Sequence, residues 1–243
     1  VTETIPLCKN CETSITGKYC SNCGQAVVLK RVDGHYVSHE IQHLLHLEKG
    51  ILYTVWELLV RPGRNVKEFI TDNRSRLVKP IIFIIITSLV YSTISHFFHV
   101  GEGYVSYQGQ ATSSAAKMFA WVEGHYGYSN IMMGIFIALW LQLFFRRSGY
   151  NFFEILILLC FAMGMGMLIF ALFVIAEALL KIPAMQIAAV IGIAYCTWAI
   201  GQFFNAKKIS AYLKAFFAYL LGMVTFSAVI LLLGALVDVL IKH

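Results

Sequence analysis

The apolar positions of this chain are unevenly placed. From Pro80 onward they merge into stretches long enough to cross a bilayer, whereas residues 1–79 hold only short apolar pieces between polar and charged positions. A spanning helix needs about 20 predominantly apolar residues. Five stretches satisfy this: 80–98, 129–145, 152–180, 184–204 and 215–241. The third and fifth exceed one bilayer thickness and predict tilt or a protruding turn. Pro183 leaves almost no loop between the third and fourth, which predicts a tight helical hairpin. Residues 111–122 predict a short surface helix, within a loop whose Trp121, Tyr126 and Tyr128 suit an interfacial aromatic belt.

Composition agrees. Hydrophobic residues make up 58% of the 243 and charged residues 13%, with a mean hydropathy of +0.71. Soluble domains carry roughly 25% charged residues, so this chain lacks the polar surface to stay in water. Disorder, a small disulfide scaffold and a coiled coil are excluded. The fold class expected is an all-α membrane protein of about five transmembrane helices, with a polar head in front of them.

Charge sets an expected orientation. No signal peptide is visible, because the first long apolar run starts only at position 80. With the N-terminus inside, the inner segments hold 16 Lys and Arg and the outer ones hold 3. Basic residues stay on the cytoplasmic side. The reading is N-terminus cytoplasmic and C-terminus periplasmic. The net charge of +6 is then a topology signal that also suits anionic headgroups, and no nucleic-acid partner is expected.

The head carries Cys8-Lys9-Asn10-Cys11 and Cys20-Ser21-Asn22-Cys23. Two CxxC turns supply the four thiolates of a tetrahedral site, at about 2.3 Å per sulfur–zinc bond. The expectation is one structural Zn2+ per chain in a ribbon over residues 1–27, with Cys8, Cys11, Cys20 and Cys23 as ligands. So small a unit cannot bury a core, and the metal supplies its folding free energy. Iron in the same cage is one alternative. Two disulfides are another, opposed by the reducing cytoplasm. Cys160 and Cys196 lie in spans and read as small buried hydrophobes.

Residues 28–79 read as cytoplasmic juxtamembrane amphipathic helices leading into the transmembrane domain, 80–243. Ser38 and Gly50 suit the ends of one helix, on which His39, His43 and His46 share a face, with His35 above them. A row of imidazoles can bind a second metal or sense pH; the plainer reading is an interfacial helix. Ile51–Val60 is apolar but too short to span, and Arg61-Pro62-Gly63-Arg64 breaks it.

With those motifs in view, the sequence resembles the zinc-ribbon-headed, multi-pass inner-membrane proteins of unknown function common in Bacteroidetes. The resemblance rests on CKNC and YCSNCGQ within 8–25, HxxxHLLHLEKGILYTVWELLVRPG at 39–63, and KEFITDNRSRLVKP at 67–80. It covers roughly residues 8–95. Asp72-Asn73 stands where that pattern often has Gly-Lys. The resemblance implies a zinc ribbon and a bacterial inner membrane, and no activity.

Polar residues inside spans are costly and face the bundle interior. Ser88, Ser92, Ser95 and His99 form one stripe along the first span, and Glu154, Glu177 and Asp238 sit near span ends. The stripe can line a cavity or simply bond neighbouring helices. Glu154 lies toward the inside, but with His96, His99, His125, Glu102 and Glu123 most of these groups sit toward the outside face, where they could form a metal or proton site. The run Ala162-Met163-Gly164-Met165-Gly166-Met167 offers a smooth face for helix packing. No HExxH, GxSxG or Walker sequence occurs. Three functions follow as expectations. The first is a non-catalytic accessory or scaffold protein whose ribbon and surface helices dock a protein partner or larger membrane complex. The second is a small transporter or lipid-handling protein using Ser88, Ser92, Ser95, His99, Glu177 and Asp238. The third is a membrane enzyme built on the outer His/Glu cluster.

Overall fold

The computed structural model describes residues 13–14, 17–19, 21–22, 50–72, 76–98 and 113–242. The chain divides into two compact units, 1–46 and 47–243. In the first, Ser14 and Tyr19 each occupy a single-residue β-bridge on either side of a bend at Gly17-Lys18. The Asn22 amide donates to Thr13 Oγ1 at 3.4 Å. Cys8, Cys11, Cys20 and Cys23 lie outside the described residues, as do His35, His39, His43, His46 and His99.

Among its described residues the second unit is built of helices: α1 Gly50–Val60, α2 Pro62–Thr71, α3 Pro80–Phe98, α4 Ser114–Gly124, α5 Tyr126–Phe144, α6 Phe152–Leu180, α7 Met185–Asn205 and α8 Ile209–Lys242. Among the described residues, α3, α5, α6, α7 and α8 are long and apolar enough to cross a membrane. Phe83, Ile137, Leu158, Phe161, Ile200 and Phe203 are fully buried between them. The outward faces are equally apolar: Leu89, Leu172, Val190 and Leu232 are each more than 60% exposed. Exposed apolar area costs about 25 cal/mol per Å² in water and nothing against lipid tails. The protein is therefore a multi-pass membrane protein.

Two boundaries move from their expected places. Helix α5 begins at Tyr126 and α8 at Ile209, ahead of the apolar runs at 129 and 215. Ala211, Ala215, Ala218 and Tyr219 are buried along one face of α8, so the helical period continues through Ser210 and Lys214, where continuous hydropathy stops.

The acids near span ends close helix termini. Asn151 and Glu154 form a reciprocal capping box at the start of α6, at 2.9 and 2.8 Å. Lys181, at φ 55°, ends α6 in the left-handed conformation. Glu177 Oε2 then accepts from the Ala184 and Met185 amides at 2.8 and 3.0 Å, holding the α6–α7 hairpin shut. Asp238 Oδ1 accepts from the Ser114 amide at 3.0 Å, tying α4 to α8. An anion at a helix N-terminus contributes about 0.3–1 kcal/mol.

Helices α1 and α2 do more than lie flat on the bundle. Leu58, Val66, Phe69 and Ile70 enter the same core as the spans, together with Leu77 and Val78. Phe69 meets Phe161 edge-on at 5.4 Å. This pair forms a platform at one end of the bundle, where α7 ends.

Candidate functional site

The platform is held by hydrogen bonds that cross large sequence separations. Gly63 comes so close to α7 that a Cβ there would lie 2.3 Å from the Phe203 nitrogen and 2.6 Å from the Ala199 oxygen. That approach lets Gln202 Oε1 accept from the Gly63 and Arg64 amides at 2.8 and 3.3 Å, satisfying donors that a helix N-terminus leaves open. The Tyr195 hydroxyl donates to the Leu58 carbonyl at 2.9 Å, and Thr54 Oγ1 accepts from the Val78 amide at 3.1 Å. A polar recess of about 350 Å³, rimmed by Trp56, Arg61 and Asn65, opens beside them. Inside it Arg76 bridges Glu57, at 3.0 Å, and Glu68, and Arg64 also holds Glu68, at 2.9 Å. The Arg64 hydrogen bond, with the Arg76 charge behind it, keeps the Glu68 carboxyl below its ordinary value. A bond to Tyr53 raises Arg76 in turn. Glu68 and Arg76 therefore stay ionised near neutral pH, which suits structure and recognition better than proton transfer.

A second site lies within the spans. All five contribute to a cavity of about 280 Å³, walled by Met133, Met163, Met167, Phe170, Met223 and Phe226. Tyr91, Tyr126 and Phe170 close one end, with Tyr91–Tyr126 centroids 4.8 Å apart at 78° and Tyr91–Phe170 centroids at 6.1 Å. The Cys196 thiol donates to the Ala162 carbonyl at 3.6 Å. Ser129 Oγ donates to the Val122 carbonyl at 3.0 Å. Asn130 differs from these polar neighbours. It is 4% exposed, and its Nδ2 has no hydrogen-bond partner. Leaving a buried donor unpaired costs about 1–3 kcal/mol.

Asn130 and Met163 also border a second hollow of about 400 Å³ on the bundle's outer side. Ile81 and Phe153, 61% and 73% exposed, line that groove, so it is open to lipid. The two spaces thus share Asn130 and Met163 as a common wall. Gly166 permits the inner one. A Cβ there would touch only Cys196 Sγ, at 3.9 Å, so the cavity occupies the volume a side chain would fill.

The polar residues singled out in the sequence are distributed differently. Ser88 is buried, with its Oγ unpartnered, and faces Gly127, whose Cβ would lie 3.7 Å away. Ser92 and Ser95 are half-buried on the same helix, and Glu177 and Asp238 serve as the caps described above. His125 stacks on Trp121 at 4.6 Å and bonds its carbonyl at 2.9 Å. Among the described residues, no three His, Cys, Asp or Glu side chains gather where they could hold a metal. The small-residue run of α6 packs as expected, with Gly164 against the Phe83 ring and Gly166 at the cavity. Asn130 lies outside the polar stripe that the sequence pattern marks. Its one signal is an amide inside an otherwise apolar helix.

No curated protein and no solved structure matches the chain. A family model described as "Protein of unknown function (DUF3667)" matches residues 48–92, which take in both platform helices and most of α3. That match and the five apolar helices fit a membrane protein family of unknown function.

Proposed function

We propose that this protein binds and handles a neutral, lipid-like molecule inside its helical bundle, in the cavity at Asn130. The carrying observation is the unpartnered Asn130 amide beside an apolar cavity. An amide nitrogen offers two N–H donors, so the matching ligand brings an acceptor oxygen, such as an ester or ketone carbonyl. The thioether and aromatic walls suit an apolar body and oppose a charged headgroup, whose desolvation nothing there repays. The outer groove gives such a molecule a route from the bilayer. This reading places the lipid-handling role around Asn130 and not along Ser88, Ser92 and Ser95.

Native mass spectrometry of protein released gently from its membranes tests it. Wild type is expected to retain a neutral lipid, and Gly166→Leu, which fills the cavity from a position with room for a side chain, is expected to lose it. A wild-type chain free of neutral lipid, or equal adducts on both, contradicts the reading.

A second reading, an accessory protein that docks a partner, is supported by the platform. The matched segment is locked to the bundle by Gln202 and Tyr195 and carries its own paired charges. A stoichiometric protein retained on purification, and lost from an Arg76→Gln variant, is the outcome that favours it. Within either reading, Cys8, Cys11, Cys20 and Cys23 hold one structural zinc in a cytoplasmic head. The spacing of the two CxxC pairs supports this. Metal analysis is expected to give one zinc per chain, abolished in Cys8→Ser/Cys11→Ser. Retention of zinc in that variant contradicts the assignment.

A further inference from the structure

The packing of α5 against α8 brings together two loops that are far apart in sequence. Arg146 and Arg147 follow α5, and Lys208 and Lys214 lie at the start of α8; all four line one open groove of about 1160 Å³. No carboxylate lines it among the described residues. One wall is a parallel stack of Phe145 on Phe204, with centroids 3.9 Å apart and planes at 5°. Lys214 Nζ sits 5.9 Å from the Phe145 centroid, so the stack also fixes one cation. The opposite side is apolar and outward-facing: Leu143, Leu213 and Phe217 are each more than half exposed.

Four converging cations repel one another unless an anion neutralises them. A soluble anion satisfies the charges and leaves the apolar wall uncovered. A lipid satisfies both, with phosphates against the cations and acyl chains running down Leu143 and Phe217 onto the lipid-facing surface. A single phosphodiester balances one of the four charges, and a lipid carrying two balances two. We infer that this groove is a binding site for an anionic phospholipid carrying two phosphates, of the diphosphatidylglycerol class. The site is separate from the cavity at Asn130, and either stands if the other fails.

The test uses the full-length protein in phosphatidylcholine nanodiscs, titrated with tetraoleoyl diphosphatidylglycerol, with dioleoyl phosphatidylglycerol and with inorganic pyrophosphate. Saturable binding of the two-phosphate lipid is expected, at least about fivefold tighter than the one-phosphate lipid. Each cation near the surface contributes a factor of about five. Arg146→Gln/Arg147→Gln and Lys208→Gln/Lys214→Gln are each expected to weaken binding by at least tenfold, and the four-site variant to abolish the preference. These side chains are exposed; a circular-dichroism melt confirms folding, and an early melt in the four-site variant leaves the two double variants to decide. Equal binding of both lipids, binding unchanged in the double variants, or pyrophosphate binding as tightly as the lipid each overturns the proposal.

Discussion

Gly63→Ala is expected to detach the platform from the bundle and lower unfolding stability by about 3 kcal/mol, the upper part of the overpacking range. The atoms a Cβ would meet are backbone atoms of α7, at 2.3 to 2.7 Å, and backbone cannot swing aside as a side-chain tip does. Relief requires α2 to move off α7, which breaks both bonds to Gln202 Oε1. The same shift pulls Val66 and Phe69 from the core. Gln202→Ala removes the acceptor without the clash and is expected to cost about 1–3 kcal/mol, the penalty for an unsatisfied buried donor. The measurement is the unfolding midpoint of both variants in one detergent. If Gly63→Ala melts with wild type, the close approach of α2 to α7 is wrong.

Asn130→Leu has the opposite sign. It removes an unpaired donor and replaces it with an apolar group of similar size, so the ligand-free protein is expected to gain about 1–3 kcal/mol. It should lose its neutral lipid at the same time. Stability spent on a polar group is a frequent mark of a binding site. A merely structural asparagine behaves otherwise: its replacement lowers the melting temperature and leaves lipid content unchanged.

Much of this fold is legible in the sequence where punctuation and hydropathy coincide. Helix α3 starts at Pro80 and α6 follows Asn151, a proline at a first helical position and a capping asparagine. The apolar run 215–241 is shorter than helix α8 because Lys214 and Ser210 interrupt its hydropathy, although its buried alanine face runs through them. The platform segment looks juxtamembrane in the sequence because its apolar pieces are too short to span. Only tertiary contacts with Phe161, Tyr195 and Gln202 reveal that their apolar faces enter the core.

The candidate sites were less legible. Periodicity drew attention to the serines of α3, whereas the group left unpaired beside the cavity is the amide of Asn130 on α5. A cavity is a property of five helices together, and a single residue carries no sign of the space next to it. Similarly, in the sequence Arg146, Arg147, Lys208 and Lys214 stand only as part of the basic excess of the inner segments. Their convergence on one groove depends on how α5 and α8 pack.

The most direct measurement is the side-chain amide resonance of Asn130 in nanodiscs, with ¹⁵N-asparagine labelling and Asn130→Leu for assignment. Dioleoylglycerol, which carries two ester carbonyls and no charge, is titrated in, with Gly166→Leu as the blocked control. The result expected is a saturable downfield shift of the Asn130 amide protons in wild type alone, as the amide acquires its acceptor. An amide that does not respond to this lipid, or that responds equally in Gly166→Leu, contradicts the assignment of the cavity as a neutral-lipid site.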